Sequence, residues 1–424
     1  MKREYYPGLD ETVYRTRLAS GLTVLVVPRK GFSKKLAYLV TDYGSVHSDF
    51  LLDGQEYHMP HGVAHFLEHK LFDLPGRDVS SEFAALGGHV NAFTSYDMTA
   101  YYVSCSEHFR ENLELLLEFV FTPYFTEESV VKEQGIIDQE IGMNIDAPDS
   151  RIFETLMEGM YAHHNIRIPI LGTSESIRQI TPEVLYTCHK AFYAPDNMVL
   201  CVIGDVDAQE VAAIAAARTE GMQPAGAVKL AKEQEQMVCR IPRQQTVMEV
   251  AMPTFQLGFK CESVPHGEEG IRQELLGDLA AEALFGESSR LYLRLYGEGL
   301  IDSSFGGGFE TLDGCAMLTC GGDSEDADGV LQAILDEAQR IAREGIGQED
   351  FLRMKRIAMG RRIRDLDSFD STNFRLCACH FSGFDYFRFP ALYATIEKEE
   401  LSAFLGRVVT HARSALSIIT PTQG

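Results

Sequence analysis

Apolar positions along the chain switch repeatedly between the period-two spacing of strands and the three-to-four spacing of helices. Residues 16–28, TRLASGLTVLVVP, read as strand, turn and strand with Gly21 at the turn, and residues 35–44, KLAYLVTDYG, as a further strand. A helix over 61–71 is entered through Pro60, and a short one over 79–86 stops at Gly87-Gly88. Residues 89–105, HVNAFTSYDMTAYYVSC, predict two strands joined around Ser95 to Asp97. Leu113, Leu116, Leu117 and Val120 mark an amphipathic helix over 107–121, and a second long helix over 127–144 follows the break at Pro123. Helices over 151–161 and 182–192 flank a loop, PILGT, and residues 197–205 form a buried strand that closes the first unit.

The second half repeats this grammar. After an Ala-rich helix and a Gly- and Lys-containing linker, helices over 274–284 and 290–296 precede a strand-like stretch at 301–320. Helices over 327–343, 351–367 and 399–411 then lead to a last apolar strand at 415–420. The segments EVLYTCHKAFYAPDNMVLCVIGDV and EELSAFLGRVVTHARSALSIITPT share the order helix, connector, apolar strand. The chain therefore reads as a duplicated α+β unit, with a first domain at 1–220, a linker at 221–240 and a second domain at 241–424.

A length of 424 residues suggests two domains, and 45% hydrophobic with 24% charged residues suits a soluble globular protein. No apolar run reaches membrane-spanning length, and the N-terminal MKREYYPGLD has no apolar core, so a cytoplasmic location is expected. The nine scattered cysteines fit reduced core thiols. A net charge of −24 speaks against nucleic acid or an anionic membrane as partner and leaves cationic or extended peptides open.

The candidate chemistry lies in HGVAHFLEHKLF at 61–72. On a helix His65 and His69 stand one turn apart, and Glu68 borders the same face. The pattern H-x-x-E-H is the inverse of the H-E-x-x-H zinc protease signature. Two imidazoles and a carboxylate suit Zn²⁺ with one position open to water, and Glu68 is placed to take that water's proton. Glu140 on the second long helix is the candidate third ligand, and Glu133, two turns earlier on the same face, the carboxylate behind it. Without the His pair these acids would read as a solvated helix face. His61 is one turn before His65, but as a fourth ligand it would close the water position. Cys377, Cys379 and His380 lack a second pair at zinc spacing, and Gly306 to Gly308 lack the Lys-Ser/Thr of a phosphate loop. His163 and His164 read as surface residues, and Lys70 suits either solvent or an acidic neighbour.

Together, GLTVLVVP, AHFLEH, GGHVNAFTSYDMTAYY, the E-x6-E pair Glu133 and Glu140, PILGT and FYAPDNMVLCVIGDVD make the chain resemble the M16 metallopeptidases. These are the insulinase, pitrilysin and mitochondrial processing peptidase group, and the likeness is to bacterial members that form half of a clamshell. The resemblance implies an M16/LuxS-like metallohydrolase fold of two homologous domains, each a mostly antiparallel sheet packed with helices. It implies Zn²⁺ held by His65, His69 and Glu140, with Glu68 as general base, and a second domain without catalytic residues. It further implies an extended peptide substrate added to a sheet edge at Asn91, Ala92, Phe93 and Thr94. One feature departs from the family: an Arg and a Tyr seven residues apart hold the substrate carbonyl in many active members, and here those positions fall on Tyr296 and Asp302. The expected partner is therefore a non-catalytic M16-like subunit in a heterodimer, with a homodimer as the other arrangement. The alternative function is a non-proteolytic or accessory subunit in a maturation or modification pathway, against which the intact ligand set argues.

Overall fold

The computed structural model describes residues 1–231 and 235–422. The first half contains strands β1 (Lys2–Tyr6), β2 (Glu11–Arg17), β3 (Thr23–Pro28), β4 (Lys35–Thr41), β5 (Asp49–Leu52), β6 (Gln55–His58), β7 (Asp73–Leu74), β8 (Arg77–Asp78), β9 (His89–Thr94), β10 (Thr99–Cys105) and β11 (Met198–Gly204). Its helices are α1 (Val63–Leu71), α2 (Val79–Ala85), α3 (Phe109–Phe121), α4 (Glu127–Ile145), α5 (Pro148–Met160), α6 (Ser174–Ile177), α7 (Pro182–Phe192) and α8 (Ala208–Arg218). The connection carries β12 (Val228–Leu230), which pairs with β5; residues 232–234 of the expected linker lie outside the described residues. The second half contains β13 (Arg243–Met248), β14 (Thr254–Cys261), β15 (Gly306–Leu312), β16 (Cys315–Asp323) and β17 (Ser414–Pro421). Its helices are α9 (Glu268–Phe285), α10 (Arg290–Gly297), α11 (Ala327–Glu344), α12 (Gln348–Asp365), α13 (Phe369–Phe381), α14 (Phe389–Thr395) and α15 (Lys398–Val408).

Two sheets carry the duplication. The first runs β1-β2-β3-β11-β4-β10-β9 and the second β13-β17-β14-β16-β15. Strands β3, β11, β4, β10 and β9 match β13, β17, β14, β16 and β15 in order. The pairings match in sense too: the first pair is parallel and the other three antiparallel in both sheets. The stretch expected to be one strand-like unit at 301–320 is a hairpin, because Asp313 and Gly314 adopt positive φ and turn the chain between β15 and β16.

The two halves exchange helices. The first-half helix α5 packs on β14 and β17 of the second sheet, where Gln244 donates to the Thr155 carbonyl at 2.7 Å. Gly258 of β14 permits this approach, since a Cβ there would lie 2.5 Å from Met160 Sδ. Reciprocally, α13 of the second half packs on β11 and β4 of the first sheet. This explains why β11, MVLCVIG, is buried throughout: α13 lies on one face, and the opposite face joins the cluster of Leu67, Leu116 and Ala191.

The register also relates α1 to α9. Thr94 pairs through Thr99 and Thr41 to Met198, the first residue of β11, and Phe309 pairs through Leu318 and Phe259 to Ser414, the first residue of β17. Thr94 faces Glu68 of α1, and Phe309 faces Gly277 of α9, where a Cβ would lie 2.1 Å from its ring. Glu274 and Asp278 of α9 thus stand where α1 carries His65 and His69. Both accept from Arg362 of α12, at 2.5 and 2.6 Å, and Arg375 adds a bond to Glu274 at 3.1 Å. Two guanidinia balance this pair of carboxylates, and an aromatic ring fills the place beside Gly277.

Candidate metal centre

Helix α1 begins at Gly62, whose φ of 91° is left-handed. The PILGT loop closes over this start: a Cβ on Gly62 would lie 2.4 Å from the Leu171 carbonyl oxygen, and Ser176 Oγ donates to the His61 carbonyl at 2.7 Å. Helix α4 is started by a capping box between Thr126 and Ser129 and buries Val130, Ile137 and Ile141. Glu133 and Glu140, three or four residues from Val130 and Ile137 and so bordering the same face, then meet α1.

His65 Nε2 lies 3.7 Å from Glu140 Oε1, and His69 Nε2 lies 3.7 Å from Glu140 Oε2. One donor atom from each of the three residues falls within 4.8 Å of the others. Two imidazoles and a carboxylate this close can share one ion at the roughly 2.0–2.2 Å ligand distances of Zn²⁺. Burial, reinforced by the neighbouring His69, pushes the His65 pKa down to about 3, so its ring is neutral and free to ligate. Burial also disfavours charge on His69, but its bond to Glu133 and the Glu68, Glu133 and Glu140 carboxylates outweigh this and raise its pKa. Glu133 Oε1 lies 3.0 Å from His69 Nδ1 and so fixes the ring with Nε2 toward Glu140.

Glu68 points to the same space from the buried side of α1 and is only 8% exposed. Burial raises its pKa, partly countered by the Thr94 hydroxyl, which donates to Oε2 at 2.7 Å. Buried Tyr101 and Tyr193 have hydroxyls 2.9 Å apart, and burial with the nearby Glu68 charge raises the pKa of both.

Asn91, Ala92, Phe93 and Thr94 all lie on β9, which is the open edge of the first sheet and runs beside α1. Asn91 is exposed, and its side-chain oxygen accepts from the Ala92 N–H at 2.9 Å. Phe93 turns to the other face, 6.1 Å from Phe374 of α13 between ring centroids. The Thr94 side chain is committed to Glu68, which leaves its main chain at the edge. Tyr296 is exposed and stacks on Tyr292 at 5.9 Å, and Asp302 accepts from Ser304. Neither therefore supplies a guanidinium or phenol to the centre, and Arg290 and Arg294 are exposed on α10.

Of the two settings open to Lys70 the structure has the acidic neighbour: it is fully buried and contacts Asp73 and Glu133. His163 is exposed as expected, whereas His164 is half-buried and places Nε2 3.4 Å from Asp313 Oδ2 at the tip of the β15–β16 hairpin. His47 reaches Asp313 Oδ1 at 3.4 Å, so the hairpin of one half is clasped by two imidazoles of the other. His61 is half-buried and stands outside the converging trio. Cys377 and Cys379 are buried in α13, and among the described residues the His65, His69 and Glu140 group alone brings three such ligands together. The bond from Thr94 to Glu68 and the contact of Lys70 with Glu133 carry no signal in the sequence, since these partners are 26 and 63 positions apart in the chain.

Residues 54–174 match the family model described as Insulinase (Peptidase family M16), and residues 179–358 match that described as Peptidase M16 inactive domain. A Bacillus subtilis protein named as an uncharacterized zinc protease, YmfH, is 39% identical over 370 residues, covering 86% of each chain. A Rickettsia felis protein, also named as an uncharacterized zinc protease, is 31% identical over 208 residues, 48% of each chain. Among solved structures, an M16-like peptidase from Alicyclobacillus acidocaldarius superposes with a TM-score of 0.93 at 33% identity, covering 97% of this chain and 99% of that one. A Helicobacter pylori protease at 18% identity shares the fold with a TM-score of 0.83, covering 96% and 99%. Among the described residues no helix is long and apolar enough to cross a membrane.

Proposed function

The chain belongs to peptidase family M16, the insulinase family, and from that premise we propose that it is a zinc-dependent endopeptidase acting on unstructured peptides or a small precursor. The observation that carries this reading is the convergence of His65, His69 and Glu140 donors within 4.8 Å, with Glu68 beside them. Bound Zn²⁺ would supply a Lewis acid and lower the pKa of a water to about 7. Glu68 would accept a proton from the attacking water and pass it to the leaving amine, with Thr94 holding the carboxylate in place. The free edge of β9 offers main-chain groups to an extended peptide, and addition of a strand there brings its backbone past α1. Asn91 exchanges its bond to the Ala92 N–H for bonds to the substrate.

The positions of Tyr296 and Asp302 leave the substrate carbonyl without a polarising pair from this chain. Loss of such donors costs about 3–4 kcal/mol in other hydrolases. The reading is therefore that a second, non-identical M16-like chain supplies them, and that two half-clamshells enclose a chamber admitting peptides but not folded proteins. The second half, in which Gly277 and the Arg362 cluster take the places of base and ligands, contributes walls rather than chemistry.

The test is metal content and cleavage of a quenched fluorescent peptide, for this chain alone and mixed with a partner lacking H-x-x-E-H. One zinc per chain and cleavage only on mixing is the expected result. Full activity of the chain alone would remove the partner from the proposal. Zinc without cleavage in any pairing would favour the accessory role, and absence of bound metal would refute the centre itself.

A further inference from the structure

Lysine is rarely fully buried, because its ammonium is costly to desolvate without compensating partners. Lys70 is 0% exposed, although it stands in the last turn of α1, directly after the candidate ligand His69. Its Nζ contacts the Asp73 carboxylate, lies 3.4 Å from the Ser129 carbonyl oxygen and 3.9 Å from Glu133 Oε2. Glu133 is itself only 13% exposed, and its other oxygen, Oε1, lies 3.0 Å from His69 Nδ1. One carboxylate thus spans a buried ammonium and a ligand imidazole. An apolar side chain of similar length would satisfy packing at position 70, so the ammonium must be explained by what it holds.

We propose that Lys70 is a positioning residue for the metal centre: its buried ammonium anchors Glu133 Oε2, so that Oε1 keeps the His69 ring aimed at the shared ion. This inference rests on the zinc reading above. It assigns three roles along one line: the ammonium fixes the carboxylate, the carboxylate fixes the imidazole, and the imidazole ligates. The contact to Ser129 adds a tie to the first turn of α4, so the same lysine sets the separation between the helix that carries two ligands and the helix that carries the third. Carboxylates behind a ligating histidine typically change metal affinity by about 10–100-fold, and the loss of Lys70 acts through that carboxylate.

The test is the zinc dissociation constant of the full chain, measured by competition with a chromophoric chelator, for wild type, Lys70→Met, Glu133→Gln and the double variant. Lys70→Met is expected to weaken zinc binding about tenfold and Glu133→Gln by at least as much. The double variant is expected to be no weaker than Glu133→Gln, because both changes break one line. Lys70→Met within twofold of wild type, or two losses that multiply in the double variant, would overturn the assignment. Asp73→Asn supplies a second measurement that leaves the Lys70–Glu133 contact in place: unchanged zinc affinity is expected, and a tenfold loss would show that Lys70 acts through Asp73 instead. Failure of the wild type to bind zinc would refute the proposed centre, an outcome distinct from equal affinities of wild type and variants.

Discussion

Thr94 donates its hydroxyl hydrogen to Glu68 Oε2 at 2.7 Å, so the edge strand where a peptide would dock is joined to the carboxylate that would act as base. On the proposed function, a single residue at the end of β9 would set both substrate position and base position. Thr99, 3.5 Å away between hydroxyl oxygens, continues the tie into β10.

Thr94→Val removes this bond while keeping a β-branched strand residue. We expect kcat to fall about tenfold with zinc content unchanged, since a hydrogen bond to a charged group contributes about 1.5–3 kcal/mol and part of that is replaced by water. Thr94→Ser is expected to retain most activity. Steady-state kinetics of the mixture with the partner chain, together with metal analysis, checks both.

Glu68→Gln keeps shape and removes the proton acceptor. Peptide cleavage should fall by about 10²–10⁴-fold while one zinc per chain remains. His65→Ala, His69→Ala and Glu140→Ala should instead lose the metal, and a chelator should abolish wild-type cleavage in a way that added Zn²⁺ reverses. Metal analysis separates the two classes of variant.

Glu235 accepts from the N–H groups of Ala162, His163 and His164 at 3.0, 2.9 and 2.9 Å and pairs with buried Lys260 at 3.2 Å. Burial alone would raise its pKa, but these bonds and the Lys260 charge lower it from 4.5 to about 2. Its folded pKa is below the unfolded one, so the stabilisation is present above about pH 4.5 and is lost as pH falls toward 2. Glu235→Gln should cost about 1–2 kcal/mol at pH 7 after allowance for screening, with a smaller difference at pH 3. Urea unfolding at the two pH values measures it.

Arg362→Ala leaves half-buried Asp278 without its cation and buried Glu274 with Arg375 alone. Breaking a buried pair in this way costs about 3–5 kcal/mol, whereas replacing all three by apolar residues of similar volume is nearly neutral or stabilising. We therefore expect Arg362→Ala to lower the unfolding midpoint sharply and the triple variant Glu274→Leu, Asp278→Leu, Arg362→Met to recover it. Zinc content should be unchanged in any variant that folds.

Local pattern determined much of this protein. His65 and His69 at i and i+4 place two imidazoles on one helical face whatever the rest of the fold does, and the E-x6-E spacing does the same for Glu133 and Glu140. The apolar runs of β3 and β11 and the repeated order of helix, connector and strand likewise showed a duplicated α+β unit. The short strands β1 and β13 and the helix α13 escaped that reading, because polar residues interrupt their period.

Tertiary structure alone decided the exchange of α5 and α13 between sheets, the burial of Lys70, the commitment of Thr94 to Glu68, the clasp of Asp313 by His47 and His164, and the filling of the second repeat by Phe309 and Arg362. Each is a contact between residues far apart in the chain, created by strand register and by helices crossing a sheet. Periodicity reports which face of an element is apolar, but not which distant element covers it, and the chemistry of a buried lysine or threonine depends on that covering partner.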